Sequence, residues 1–175
     1  MPQANPQGIS RFYLYKLGIV ALVAVYFVRF FFMGDDVMNT FLHGFILMIH
    51  EAGHMLTPFG RFAVILGGTL WQIFVPLIFV IYFFLEKQVY SAALLLFLVG
   101  FSFVDASVYV RDAQERLLPL ITNDIMTHDW WQLLRMMDLL AYDNVLANLY
   151  YLQGWLFFGL GCYFGVYFSQ KRFAR

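Results

Sequence analysis

Runs of about 20 mostly apolar residues, separated by short charged or proline-containing breaks, recur along almost the whole of this chain. That is the length an α-helix needs to cross a hydrocarbon core roughly 30 Å thick. Five such runs fall at approximately 13–33, 37–57, 62–85, 89–110 and 147–169. None shows the period-two alternation of a transmembrane barrel strand. The sequence therefore predicts an all-α, polytopic membrane helix bundle with about five transmembrane helices, a single multi-pass integral membrane domain over residues 1–175.

Composition supports the bilayer as principal solvent. The chain is 62% hydrophobic and 13% charged, whereas soluble chains carry about 25% charged residues to cover their surface. Eleven Lys and Arg balance eleven Asp and Glu, so the basic stripe that a phosphate backbone demands is missing and nucleic acid is not an expected partner. The single cysteine, Cys162, excludes an intramolecular disulfide framework. The polar start is followed by an apolar run without a small-residue cleavage site, so the first span is expected to be retained rather than removed as a signal peptide.

The breaks are recognisable helix stops: Gly34-Asp35-Asp36, Thr57-Pro58-Phe59-Gly60, Glu86-Lys87, Arg111-Asp112 and Lys171-Arg172. One sizeable extramembrane segment remains, approximately 111–146. Within it, residues 129–140 place apolar side chains at helical spacing with Trp130 and Trp131 at one end, the pattern of an interfacial helix anchored by tryptophan.

The second run contains His50-Glu51-Ala52-Gly53-His54, the H-E-x-x-H pattern. Histidines at i and i+4 project from one helix face a turn apart, so both imidazoles reach one Zn²⁺, while the intervening Glu51 stands beside a metal-bound water as general base. Three ionisable side chains on an apolar helix are costly unless paired, hydrated or metal-bound, which makes a polar packing cluster the weaker reading.

A catalytic zinc takes three protein ligands and leaves one position open. The second and fourth runs point the same way across the membrane, which brings Asp105 to the depth of His50 and His54, with no basic residue within a turn to pair it. Asp105 is the first candidate for third ligand, and His128 or Asp129 folding back is the second. Asp112 is a lesser one, because Arg111 and Arg116 are near enough to form an ordinary surface ion pair with it. Gly67, Gly68 and Gln72 fall near the same level at the start of the third run, as a place for an extended backbone to approach or as close helix packing. His43, seven residues before His50, reads as a hydrogen-bonded buried histidine, with a role behind the metal ligands as the alternative.

His50-Glu51-Ala52-Gly53-His54, then Gly67-Gly68-Thr69-Leu70-Trp71-Gln72, then Val104-Asp105 resemble the site-2-protease-like intramembrane zinc metalloproteases, over approximately residues 37–110. There an H-E-x-x-H helix is followed by one opening on small residues and an amide side chain, and then by one bearing an aspartate ligand. Here Gln72 replaces the usual Asn, and Ala106 follows the aspartate in place of Gly. The resemblance implies Zn²⁺ as cofactor, His50, His54 and Asp105 as ligands, Glu51 as catalytic base, and substrate contacts from Gly67, Gly68 and Gln72. The implied reaction is hydrolysis of a peptide bond in or near a transmembrane segment of another membrane protein. Two other classes are compatible with the residues: a non-catalytic subunit of a larger membrane complex that keeps a metal-site remnant, and a zinc hydrolase acting on a non-peptide bond.

Overall fold

The computed structural model describes residues 7–170, with side chains from Leu14 onward. Every regular element among the described residues is a helix: α1 (Gln7–Val28), α2 (Phe41–Leu56), α3 (Arg61–Leu85), α4 (Val89–Arg111), α5 (Asp129–Met136) and α6 (Asp143–Phe168). Short 3₁₀ turns join α1 to α2 and flank α5. The polar stretch 1–6 and the Lys171-Arg172 stop lie outside the described residues.

The sequence breaks act as helix stops for local reasons. Gly34 turns the chain at φ +55° and Gly60 at φ +93°, conformations that a Cβ resists. Thr40 opens α2 as an N-cap, its hydroxyl accepting the His43 backbone N–H at 3.2 Å. Pro58 follows the last turn of α2, where it cannot continue the helix.

Three helical segments are long and apolar enough to cross a membrane, Leu14–Phe32, Arg61–Leu85 and Val89–Arg111, fewer than the five expected. The two others fall short for different reasons. α2 has 16 residues, about 24 Å at the helical rise, and four of them, His43, His50, Glu51 and His54, are ionisable. α6 has 26 residues, but Asn148, Gln153 and four glycines dilute its apolar character. Gly154, Gly161 and Gly165 are explained by packing, since small residues let membrane helices approach closely. A Cβ on Gly154 would lie 3.1 Å from the Gly100 carbonyl oxygen of α4, and one on Gly165 would lie 2.9 Å from Val20 of α1.

α4 is the central helix, packed against α6, α3 and α1, while α2 pairs with α3 as an antiparallel hairpin. Phe30, Phe31, Val37, Ile46, Phe101 and Val104 form one apolar core where the 3₁₀ turns after α1 meet α2 and α4. Ile65, Val110, Ala113, Trp130, Leu133, Leu134 and Ala147 form the other.

α5 is shorter than the 129–140 stretch expected and sits differently. Trp130, Leu133 and Leu134 are at most 4% exposed, turned onto α3 and α4 rather than outward as interface anchors. The indole Nε1 of Trp130 donates to Thr69 Oγ1 at 3.1 Å. Burying side chains of this size stabilises by about 1.5–3 kcal/mol each, which holds this eight-residue helix in one place. Trp131, the next residue, has the guanidinium groups of Arg116 and Arg135 over its ring, each at 4.7 Å.

Candidate metal centre

His50 and His54 project from the last two turns of α2, their ring centroids 4.8 Å apart. Helix periodicity alone produces that pairing. Their ring orientation depends on α3. His54 Nδ1 donates to the Val64 carbonyl at 2.8 Å, and His50 Nδ1 donates to Gln72 Oε1 at 2.6 Å. With both Nδ1 positions occupied as donors, each Nε2 is left as the nitrogen that can turn to a metal ion, the arrangement metal-ligating histidines adopt.

Those two Nε2 atoms meet one carboxylate oxygen. Asp129 Oδ2 lies 2.9 Å from His50 Nε2 and 3.3 Å from His54 Nε2. Asp129 is the first residue of α5, and its backbone N–H donates to the Tyr109 hydroxyl at 3.1 Å. Burial pushes its carboxyl up, but the contacts with His50 and His54 outweigh this and hold it below the usual carboxylate range. The Glu51 carboxylate completes the group, since ligand atoms of His50, Glu51 and His54 lie within 4.8 Å of one another. Imidazole nitrogens and carboxylate oxygens converging this way form a donor set that suits a divalent metal ion.

The remaining sequence-derived candidates divide clearly. Asp105 is engaged elsewhere: Oδ1 accepts from His43 Nδ1 at 2.7 Å and Oδ2 accepts from Gln72 Nε2 at 3.3 Å. It stands behind Gln72, and the carboxylate touching the two histidines is Asp129. His43 is accordingly a hydrogen-bonded histidine one step behind the site. Gln72, 3% exposed, is wedged between α2 and α4. Gly67 abuts Gly53 of α2, where a Cβ would stand 2.7 Å from the Gly53 carbonyl oxygen, and Gly68 lies under the two imidazoles.

Asp112 does not form the ion pair expected of it. Its carboxylate accepts the backbone N–H groups of Leu117 and Leu118 at 2.8 and 3.0 Å, while Arg111 binds Asn144 and Asn148. His128 caps α5, its Nδ1 accepting from the Trp131 N–H at 3.2 Å. Its Nε2 faces Asp112 Oδ2 at 3.3 Å, a contact outside good hydrogen-bond alignment. Burial lowers the His128 pKa despite the neighbouring Asp112 and Asp129 carboxylates. It therefore shapes the loop that carries Asp129 and does not join the histidine pair.

A cavity of roughly 710 Å³ opens on His50, Glu51, His54 and Asp129, with Leu47, Val64 and the loop residues Leu118–Ile121 among its apolar walls. Sequence reasoning missed Tyr109 and Gly53. The signal for Tyr109 was its position four residues after Asp105, one turn nearer the end of α4 where Asp129 arrives. Gly53 lies inside the H-E-x-x-H segment, where only a small residue lets α2 approach Gly67. The chain matches no family model, no curated protein and no solved structure.

Proposed function

We propose that the protein is a membrane-embedded zinc metalloprotease of the site-2-protease kind, hydrolysing peptide bonds in or near transmembrane segments of other proteins. The observation that carries this reading is the meeting of His50 Nε2, His54 Nε2 and the Asp129 carboxylate beside Glu51 in an apolar-walled cavity. Two neutral imidazoles and one carboxylate fit zinc, and they leave a coordination position free. In this reading His50, His54 and Asp129 hold the ion, so the third ligand comes from α5 in place of Asp105.

When bound, zinc supplies the Lewis acidity that brings water toward neutral ionisation and polarises a carbonyl. Glu51, exposed to the cavity, accepts the proton from water and returns it to the departing amine. Leu47, Val64, Leu118 and Ile121 favour an apolar substrate segment over a hydrated one. The multi-pass arrangement belongs to the same proposal: α1, α3 and α4 cross the bilayer, and α2 and α6 complete the bundle against them.

Two measurements on the detergent-purified full chain test this. Zinc content is expected near about one ion per chain in wild type and in Glu51→Gln, and sharply reduced in His50→Ala, His54→Ala and Asp129→Ala. Cleavage of a co-expressed membrane-protein substrate is expected to disappear in Glu51→Gln; cleavage unchanged in that variant refutes the mechanism.

A further inference from the structure

The direction of one amide is decided by two groups that can only accept. Gln72 Nε2 faces the Ser102 carbonyl at 3.2 Å and Asp105 Oδ2 at 3.3 Å. A reversed carboxamide would set oxygen against both, so Nε2 must be where it is. Oε1 is thereby turned to His50 Nδ1 at 2.6 Å. An amide oxygen only accepts, which obliges His50 to carry a proton on Nδ1 and leaves Nε2, directed at Asp129, as the nitrogen available to a metal ion.

The two histidines are held in the same tautomer by unlike means. For His54 the acceptor is the Val64 backbone carbonyl, present whatever the side chain. For His50 it is a side-chain relay crossing three helices: His43 on α2, Asp105 on α4, Gln72 on α3 and back to His50 on α2. Asp105 is 4% exposed, and its Oδ2 is one of the two acceptors that fix the direction of the amide, the only one supplied by a side chain. His43 secures the other carboxylate oxygen at 2.7 Å.

We infer that Asp105, held by His43, is a positioning residue for the metal site: through Gln72 it fixes the tautomer of His50 and so sets how tightly His50, His54 and Asp129 bind a divalent cation. The inference rests on the metal-site reading given above. Outer hydrogen-bond partners of ligating histidines alter metal affinity by about 10- to 100-fold. Asp105 acts on affinity without entering the coordination sphere, which separates it from Asp129.

The experiment titrates the detergent-purified full chain with Zn²⁺ against a competing chelator, and with Co²⁺ as a visible-absorption probe of coordination. Asp105→Ala is expected to weaken Zn²⁺ binding by about 10- to 100-fold while leaving the Co²⁺ bands at saturation as in wild type. Asp129→Ala is expected to change those bands. Gln72→Met should match the Asp105→Ala loss, and the double variant should lose little more, because both interrupt one relay. His43→Gln, whose amide can still donate to Asp105, should stay close to wild type. Nitrogen-15 histidine spectra should show the His50 Nδ1–H tautomer in wild type and a mixture in Asp105→Ala, a change that a merely structural role does not produce.

Unchanged Zn²⁺ affinity in Asp105→Ala, additive losses in the double variant, or a Co²⁺ spectrum altered as in Asp129→Ala would overturn the proposal. If Asp105→Ala does not fold, Asp105→Leu, which is near-isosteric and offers no acceptor, and Gln72→Met decide by the same criteria. Wild type that binds neither ion removes the metal-site reading itself. Wild type that binds while the relay variants bind equally leaves that reading standing and removes only the relay.

Discussion

Gly68 of α3 faces the imidazole of His50 of α2 so closely that no side chain fits between them. A Cβ on Gly68 would press on His50 Nε2 and stand 2.6 Å from both His50 Cδ2 and His54 Cε1. Both rings are therefore seated on bare backbone. Gly68→Ala is expected to turn them away from Asp129 and to lower Zn²⁺ affinity by at least about 10-fold, the scale on which displaced ligand support acts. Helix content should not fall, because Ala is the better helix former; equilibrium dialysis and circular dichroism check the two halves.

The same seam is tighter one turn away. A Cβ on Gly53 would lie 2.5 Å from the Gly67 carbonyl oxygen and 2.8 Å from Trp71 Cβ, and neither backbone can yield without moving its helix. Gly53→Ala is expected to destabilise the folded chain by about 1–3 kcal/mol through overpacking. The lower thermal midpoint should be accompanied by loss of metal binding, since His50 and His54 travel with α2.

Asp112 binds the backbone of the loop that walls the cavity, through Leu117 and Leu118 N–H. Hydrogen bonds to a charged acceptor contribute about 1.5–3 kcal/mol each. Asp112→Ala should therefore open residues 112–128 about 10-fold more often or beyond, read as faster limited proteolysis within that segment. Helix content should remain as in wild type.

Metal binding should also appear as stability. A ligand bound only by the folded state adds RT ln(1 + [L]/Kd), about 2.7 kcal/mol at 100 times Kd. Zn²⁺ added to chelator-treated protein is expected to raise the unfolding midpoint, and His54→Ala should abolish the increase. The ligating nitrogens must be unprotonated, so the increase should shrink as pH falls below neutrality.

What was legible in the sequence is what depends on neighbours along the chain. The third and fourth apolar runs coincide closely with Arg61–Leu85 and Val89–Arg111. His50 and His54 share a helix face because four residues make about one turn, and Gly34, Gly60 and Lys87, each in a stop, take positive φ. Only the tertiary structure decided which carboxylate reaches those histidines. Asp105 and Asp129 are similar acids on the same side of the bundle. The choice between them rests on the rotation of α4, which turns Asp105 toward His43 and Gln72, and on the docking of α5 through Trp130, Leu133 and Leu134, which brings Asp129 back across 79 residues of sequence to His50. Hydrophobic periodicity marks which face of a helix is apolar, but in a bilayer lipid and protein interior are equally apolar, so it leaves that rotation open until the packed neighbours settle it.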